Sequence, residues 1–348
     1  MSSTKRNDMK AAFLYGPSDL RVETVAVPSI SDREALMKVK VVGVCPSDVR
    51  TYQGIYKHMP FPYGRESYGL SGHEWAGEVV EIGKSVRDLS LGDLVVPEII
   101  VPCGLCRACM KGMMNLCRNK GNLERGYAEY AKAPSNLLFK VPDGVSPEEA
   151  AFAEPIAVCL HTNEIISPKP GETVLIIGGG PMGLIHTQIT KLSGAKVVVS
   201  ELVESRLKTA WEYGADVTVD PLNEDLAAKV KGLTDGYGAD AVICATGAKS
   251  AIESAFKAVA VAGKIVLFGG TYPPTDIQVD PNIIHYGEIC VTGSYDHLPI
   301  HMLRALKLMS SDALNVTRLV SNTFALDWIR EAFELVRAGK ALKVQVKP

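Results

Sequence analysis

"ETVLIIGGGPMGLIHTQITKLSGAKVVVSE", residues 172–201, sets two continuous apolar, β-branched runs on either side of a segment with helical periodicity. Strands this apolar do not alternate, so each must be buried on both faces, as in a parallel sheet covered by helices. The spacing predicts a strand ending at Ile177, a helix to Lys191 stopped by Gly194, and a second strand ending at Ser200. The alternation continues with a helix to Tyr213, "ADAVICATG", a helix near 249–261 and "GKIVLFGG". This is the pattern of an α/β, doubly wound domain.

The turn between the first strand and its helix carries Gly178-x-Gly180-x-x-Gly183. Alone, the glycines only mark a turn. After a strand and at the start of a helix they acquire specific tasks: a tight turn, an approach path for a pyrophosphate, and close helix–sheet packing. Glu201 follows 23 residues after Gly178, where an acid accepts hydrogen bonds from both adenosine ribose hydroxyls and repels a 2′-phosphate. The expected cofactor is therefore NAD rather than NADP. Pro181 and Met182 lie within the loop, and Arg206 is either an adenosine-side contact or a surface residue. Gly269, Ser294 and Tyr295 complete the expected cofactor set.

Before residue 170 the texture changes to short β segments broken by Gly and Pro, among them "LMKVKVVGVC" (36–45), "EWAGEVVEIG" (74–83), "GDLVVPEIIV" (92–101) and "GYAEYAKAP" (126–134). After about 296, two amphipathic helices precede a last strand, "ALKVQVKP"; the second helix is expected to be N-capped by Asp327 and to end before Gly339. At 348 residues the chain has room for two domains with buried cores. With 37 basic and 39 acidic side chains its formal charge is −2, and no segment gathers the cations that a nucleic acid requires. Neither a signal core nor a run of about 18 apolar residues is present, so no membrane role is expected. A cytoplasmic location follows as the expectation, with reduced thiols.

Four of the eight cysteines stand in "CGLCRACMKGMMNLC", residues 103–117. Cys103, Cys106, Cys109 and Cys117 can close around one tetrahedral zinc and leave no position for water or substrate. A redox dithiol is the alternative, but such motifs need two cysteines, and four favour a metal. Cys45, His73, Glu74 and Glu154 are dispersed, and taken alone Cys45 reads as a packed thiol, His73 as a core histidine and Glu154 as a helix-start acid.

Taken together, "CPSD" (45–48), "GHEWAGEV" (72–79), "LGDLVV" (91–96) and "EPIAVCLH" (154–161) resemble, in order, motifs of the zinc-dependent medium-chain dehydrogenases, which include alcohol, polyol and threonine dehydrogenases. The resemblance covers essentially the whole chain. It implies a GroES-like, β-rich catalytic domain (1–155 and 296–348) and an inserted Rossmann domain (156–295). A catalytic zinc is implied in the cleft between them, with Cys45 and His73 as fixed ligands and Glu74 and Glu154 competing for or sharing a further position. Glutamate before proline, as at Glu154, resembles the polyol and threonine branch. The cysteine cluster corresponds to the family's structural zinc, making two zincs per chain.

The resemblance further assigns Asp48 to orienting the zinc histidine and Ser47 to accepting the alcohol proton. The family commonly has histidine three residues after this serine, whereas this chain has Arg50, which cannot act as a base near neutral pH. The proton must then leave through cofactor hydroxyls and water, or through His58. The implied reaction is reversible oxidation of a secondary hydroxyl on a polyol, sugar or cyclitol by NAD, in a homodimer or homotetramer. L-Threonine 3-dehydrogenase is the rival within the class, and a non-catalytic nucleotide-binding relative is the rival outside it. The segment between Cys45 and His73 also gathers Arg50, Lys57, His58 and Arg65, either as a solvated loop or as a subsite for a carboxylate or phosphate on the substrate.

Overall fold

The computed structural model describes residues 7–55, 63–69, 71–123, 125–311 and 313–348. They form two compact units: the chain up to Glu154 together with Leu298–Pro348, and Pro155–His297. Among the described residues, no helix is long and apolar enough to cross a membrane.

The second unit holds a six-stranded, wholly parallel sheet in the order Val217–Val219, Lys196–Ser200, Thr173–Ile177, Ala239–Cys244, Val259–Leu267, Cys290–Gly293. All five residues of Thr173–Ile177 are buried, as its unbroken apolar run requires of a strand covered on both faces. The helices Pro181–Leu192, Glu204–Glu212, Leu226–Gly232 and Lys249–Ala258 fall between strands. Strand order reverses beside Thr173–Ile177, because the chain runs outward through Lys196–Ser200 and then returns to Ala239–Cys244 on the other side. Such a switch opens a crevice at the carboxyl ends of the strands. Cys290–Gly293 is one of the two edge strands and is largely exposed.

The first unit is built on a seven-stranded sheet ordered Val320–Ala325, Lys343–Lys347, Glu34–Val44, Glu74–Ile82, Leu94–Pro97, Leu138–Lys140, with Tyr130–Pro134 also paired to Glu34–Val44. The C-terminal segment thus supplies two strands to a sheet begun near the N-terminus, and Lys343–Lys347 pairs antiparallel with Glu34–Val44. Met37, Val39, Val42, Trp75, Val79, Val95, Tyr127, Phe333 and Val344 lie in one shared core.

The last helix, Ile329–Arg337, is not capped by Asp327 as its sequence suggests. A 3-10 turn over Leu326–Trp328 precedes it, Trp328 occupies the cap position, and the Asp327 carboxylate instead accepts from Lys10 Nζ at 2.6 and 2.9 Å. The helix ends at Arg337, and Gly339 follows with a φ of +65°.

Candidate functional site

Register explains how distant residues meet. Strands Glu34–Val44 and Glu74–Ile82 run antiparallel with Gly43 opposite Glu74, so Cys45, just past the end of one, faces His73, just before the start of the other. Cys45, His73 and Glu74 offer ligand atoms that all lie within 4.8 Å of one another. Glu154 is not in that trio; it stands in the first turn of the helix Ala153–Ile166.

Cys45 also caps the helix Pro46–Tyr52, which turns Asp48 inward until it is fully buried. The Asp48 carboxylate accepts from the Cys45 backbone N–H (2.9 Å), Ser71 Oγ (2.9 Å) and Tyr127 Oη (2.6 Å), and lies 3.1 Å from His73 Nδ1. The same Nδ1 is 2.8 Å from the Ser71 carbonyl. With Nδ1–H directed at these acceptors, Nε2 is the nitrogen left for a metal. Burial opposes charge on His73, but Asp48 outweighs it and raises the imidazole pKa well above its ordinary value. Ser47 is half-buried on the same short helix, and its carbonyl accepts from Thr51 Oγ1 at 3.0 Å.

Glu74 is buried and forms an ion pair with Lys343, itself buried on the last strand. Gly43 on the strand between them makes this possible, because a Cβ there would overlap the Glu74 carboxylate and stand 2.9 Å from Lys343 Cε. Burial works against the Lys343 charge, but Glu74, Cys45 and Glu154 overcome it and raise the ammonium pKa. Neither Lys343, Ser71 nor Tyr127 is marked out by any motif.

Cys103, Cys106, Cys109 and Cys117 are unbridged thiols whose sulfurs all lie within 4.8 Å of one another. Backbone N–H groups point inward, from Cys103 to Cys117 Sγ (3.3 Å) and from Cys106 to Cys103 Sγ (3.4 Å). The Cys109 N–H draws the Cys106 thiol down to about 6, toward thiolate. Four converging sulfurs suit a closed zinc site, whereas thiolate, imidazole and carboxylate suit one that keeps an exchangeable position. Both donor sets therefore fit zinc.

In the second unit, Gly178, Glu201 and Ser294 each follow the end of a parallel strand directly, and Gly269 comes two residues after another, which gathers them at the carboxyl edge of the sheet. Gly178 has a φ of +111°, Gly180 is open on the side where a Cβ would stand, and a Cβ on Gly183 would collide with the Gly178 carbonyl. Pro181 and Met182 open the helix. Glu201 is tied across the loop, with Oε2 accepting from Gly179 N at 2.7 Å and Oε1 from Leu202 N and Val203 N at 2.7 and 3.0 Å. The Ser294 hydroxyl is engaged by Thr162 Oγ1 at 2.8 Å, Tyr295 is exposed, and Arg206 is half-buried on Glu204–Glu212.

Of the loop cations, Lys57 and His58 lie outside the described residues. Arg65 is 77% exposed with its guanidinium 4.0 Å from the Glu23 carboxylate, so an acid already faces it. Arg50 is half-buried in the last turn of Pro46–Tyr52.

Two family models match: the alcohol dehydrogenase GroES-like domain over residues 31–143, and the zinc-binding dehydrogenase domain over 181–311. Similar characterised proteins include D-arabitol-phosphate dehydrogenase of Enterococcus avium, 33% identical over 100% of this chain and 98% of its own length. L-Threonine 3-dehydrogenase of Pyrococcus abyssi is 34% identical over 97% and 96%. Among solved structures, a zinc-binding dehydrogenase from Sinorhizobium meliloti 1021 bound to NADP superposes with a TM-score of 0.91 at 30% identity, covering 99% of this chain and 100% of that one. The 2R,3R-butanediol dehydrogenase of Bacillus subtilis gives 0.88 at 31%, covering 98% and 99%. The chain belongs to the zinc-dependent medium-chain alcohol dehydrogenase family, in its polyol and threonine dehydrogenase branch. It is accordingly an oxidoreductase of the CH–OH group that works with zinc and a nicotinamide cofactor.

Proposed function

We propose that the protein reversibly oxidises a secondary hydroxyl of a polyol, sugar or cyclitol, with NAD as acceptor. The carrying observation is the convergence of Cys45, His73 and Glu74 within 4.8 Å, backed by a buried Asp48 at His73 Nδ1. In this reading the first unit is catalytic and the second binds the dinucleotide. Cys45 and His73 are the fixed ligands of the reactive zinc. Glu74, paired with Lys343, and Glu154 compete for or share the remaining protein position. The four clustered cysteines hold a second, structural zinc.

Zinc, when bound, polarises the substrate oxygen and so eases loss of its proton. Ser47 would take that proton while passing its own hydroxyl proton on toward cofactor hydroxyls and water, and a nicotinamide held by the second unit would accept the hydride from the same carbon, leaving a ketone. Asp48 holds the His73 ring in one tautomer. Arg50 keeps its proton near neutral pH and does not relay protons. Glu201 accepts the adenosine ribose hydroxyls and disfavours a 2′-phosphate, which supports NAD. The exposed edge strand Cys290–Gly293 supports pairing of two second units in a homodimer, alone or within a homotetramer.

A panel of neutral, acidic and phosphorylated polyols, with L-threonine alongside, tests the assignment with NAD and NADP. Turnover of one or more polyols is expected. Turnover of threonine alone would reject the polyol class, which matters because threonine is the substrate named for one relative, and a phosphorylated polyol for another.

A further inference from the structure

Asp48 is a carboxylate with no exposure, and protein donors reach both of its oxygens. Its two oxygens are served differently. Oδ1 receives Ser71 Oγ at 2.9 Å and faces His73 Nδ1 at 3.1 Å. Oδ2 receives the Cys45 N–H at 2.9 Å and Tyr127 Oη at 2.6 Å. Tyr127 is equally buried and lies in "GYAEY", which as sequence reads only as part of a strand.

Three features make this phenol more than core filling. Its ring packs edge-on against Phe333, with centroids 5.4 Å apart, a contact phenylalanine would make as well; the hydroxyl is surplus to packing. The other oxygen near that hydroxyl is the Gly43 carbonyl at 3.4 Å, also an acceptor, so the single O–H proton belongs on the closer Asp48. The segment leading into His73 is fitted to the ring: Gly126 N donates to Gly72 O at 2.9 Å, and a Cβ on Gly72 would lie 3.0 Å from Tyr127 Cδ2. Burial and the Asp48 charge both keep the phenol protonated, hence a donor.

We propose that Tyr127 is a positioning residue for the reactive metal site, acting through Asp48 on His73. The proposal rests on the reading of Cys45 and His73 as ligands. The hydroxyl does two things. It fixes the carboxylate plane so that Oδ1 meets His73 Nδ1, and it draws charge toward Oδ2, limiting how much Asp48 enriches the imidazole. Without it the histidine is held less firmly and more negative charge faces Nδ1. The loosely held ring would then cost the site more zinc affinity than its higher basicity returns, and a zinc held there would be less able to acidify the alcohol.

The test compares the full-length protein with Tyr127→Phe, after zinc counting on the parent and His73→Ala. For Tyr127→Phe, zinc affinity from chelator competition at the more weakly held site is expected to fall about tenfold. The acid limb of kcat/KM for alcohol oxidation moves to higher pH, while the cofactor Kd is unchanged. A merely structural tyrosine would leave that limb in place, so an unmoved limb with unmoved zinc affinity overturns the proposal. If Tyr127→Phe does not fold, Ser71→Ala, which removes the other hydroxyl donor to Asp48, decides: a limb displaced the same way supports it, and an unchanged limb overturns it. Equal zinc counts in parent and His73→Ala would overturn the metal site itself and this proposal with it. A zinc lost in His73→Ala but no response in Tyr127→Phe removes only the proposal.

Discussion

Lys343 reaches Glu74 across a strand that belongs to neither. The ammonium comes from the last strand, the carboxylate from Glu74–Ile82, and the pair closes over Gly43 on the strand between, in the one place where a missing Cβ leaves room. A buried ion pair adds little net stability, but breaking it strands a charge.

In the zinc-free protein, Lys343→Met is therefore expected to cost about 3–5 kcal/mol by urea denaturation, because Glu74 is left buried and charged. Glu74→Leu combined with Lys343→Met is expected to recover most of that loss. A single variant as stable as the parent would show that the pair is not formed in solution.

His186 sits fully buried on the helix Pro181–Leu192, edge-on to Phe268 at 4.6 Å, and neither ring nitrogen has a hydrogen-bond partner among the described residues. Burial lowers its pKa from 6.5 to about 3. The unfolded chain binds a proton below about 6.5 that the folded one refuses, so stability present above that pH is lost as pH falls toward about 3. At pH 5 the loss is about 2 kcal/mol, and His186→Leu should flatten the decline in urea midpoint between pH 7 and 5. Parallel slopes in parent and variant would contradict this.

The second unit shows how far the primary structure can be read. Its strands betray themselves by unbroken apolar runs, and its glycine loop by a turn with positive φ at Gly178 and close packing at Gly183. The first unit is less legible. The alternation in "KVQVK" reads as a strand with one wet face, yet Lys343 and Gln345 are 4% and 0% exposed. Lys343 is satisfied by Glu74, and Gln345 Nε2 donates to the Glu148 carbonyl at 2.8 Å. These partners lie far away in sequence, so no local pattern announces them. Tyr127 and Ser71 escape notice for the same reason, since what they do depends on the register that brings Asp48 beneath His73. Asp327 shows the opposite failure: a good local cap signal lost to a long-range partner, Lys10.

Cys106→Ser opens the four-sulfur cluster. The variant is expected to lose one zinc per chain and to unfold at a lower temperature than the parent. Unchanged metal content by atomic emission would show that the cluster does not hold zinc.

Glu201→Ala removes the acid that bonds Gly179, Leu202 and Val203. The ratio of kcat/KM for NAD over NADP should fall about tenfold or more, equivalent to about 1.4 kcal/mol. A ratio that does not change would place cofactor discrimination elsewhere.

The proposed function requires that the dispersed Cys45, His73 and Glu74 form a reactive zinc site separate from the cysteine cluster. Zinc counting on the parent and on Cys45→Ala, with NAD affinity and turnover measured on the same samples, tests it most directly. The variant is expected to lose one of two zincs per chain and all turnover while binding NAD as the parent does. A parent with a single zinc that survives Cys45→Ala would contradict it and leave a nucleotide-binding relative with a structural metal alone.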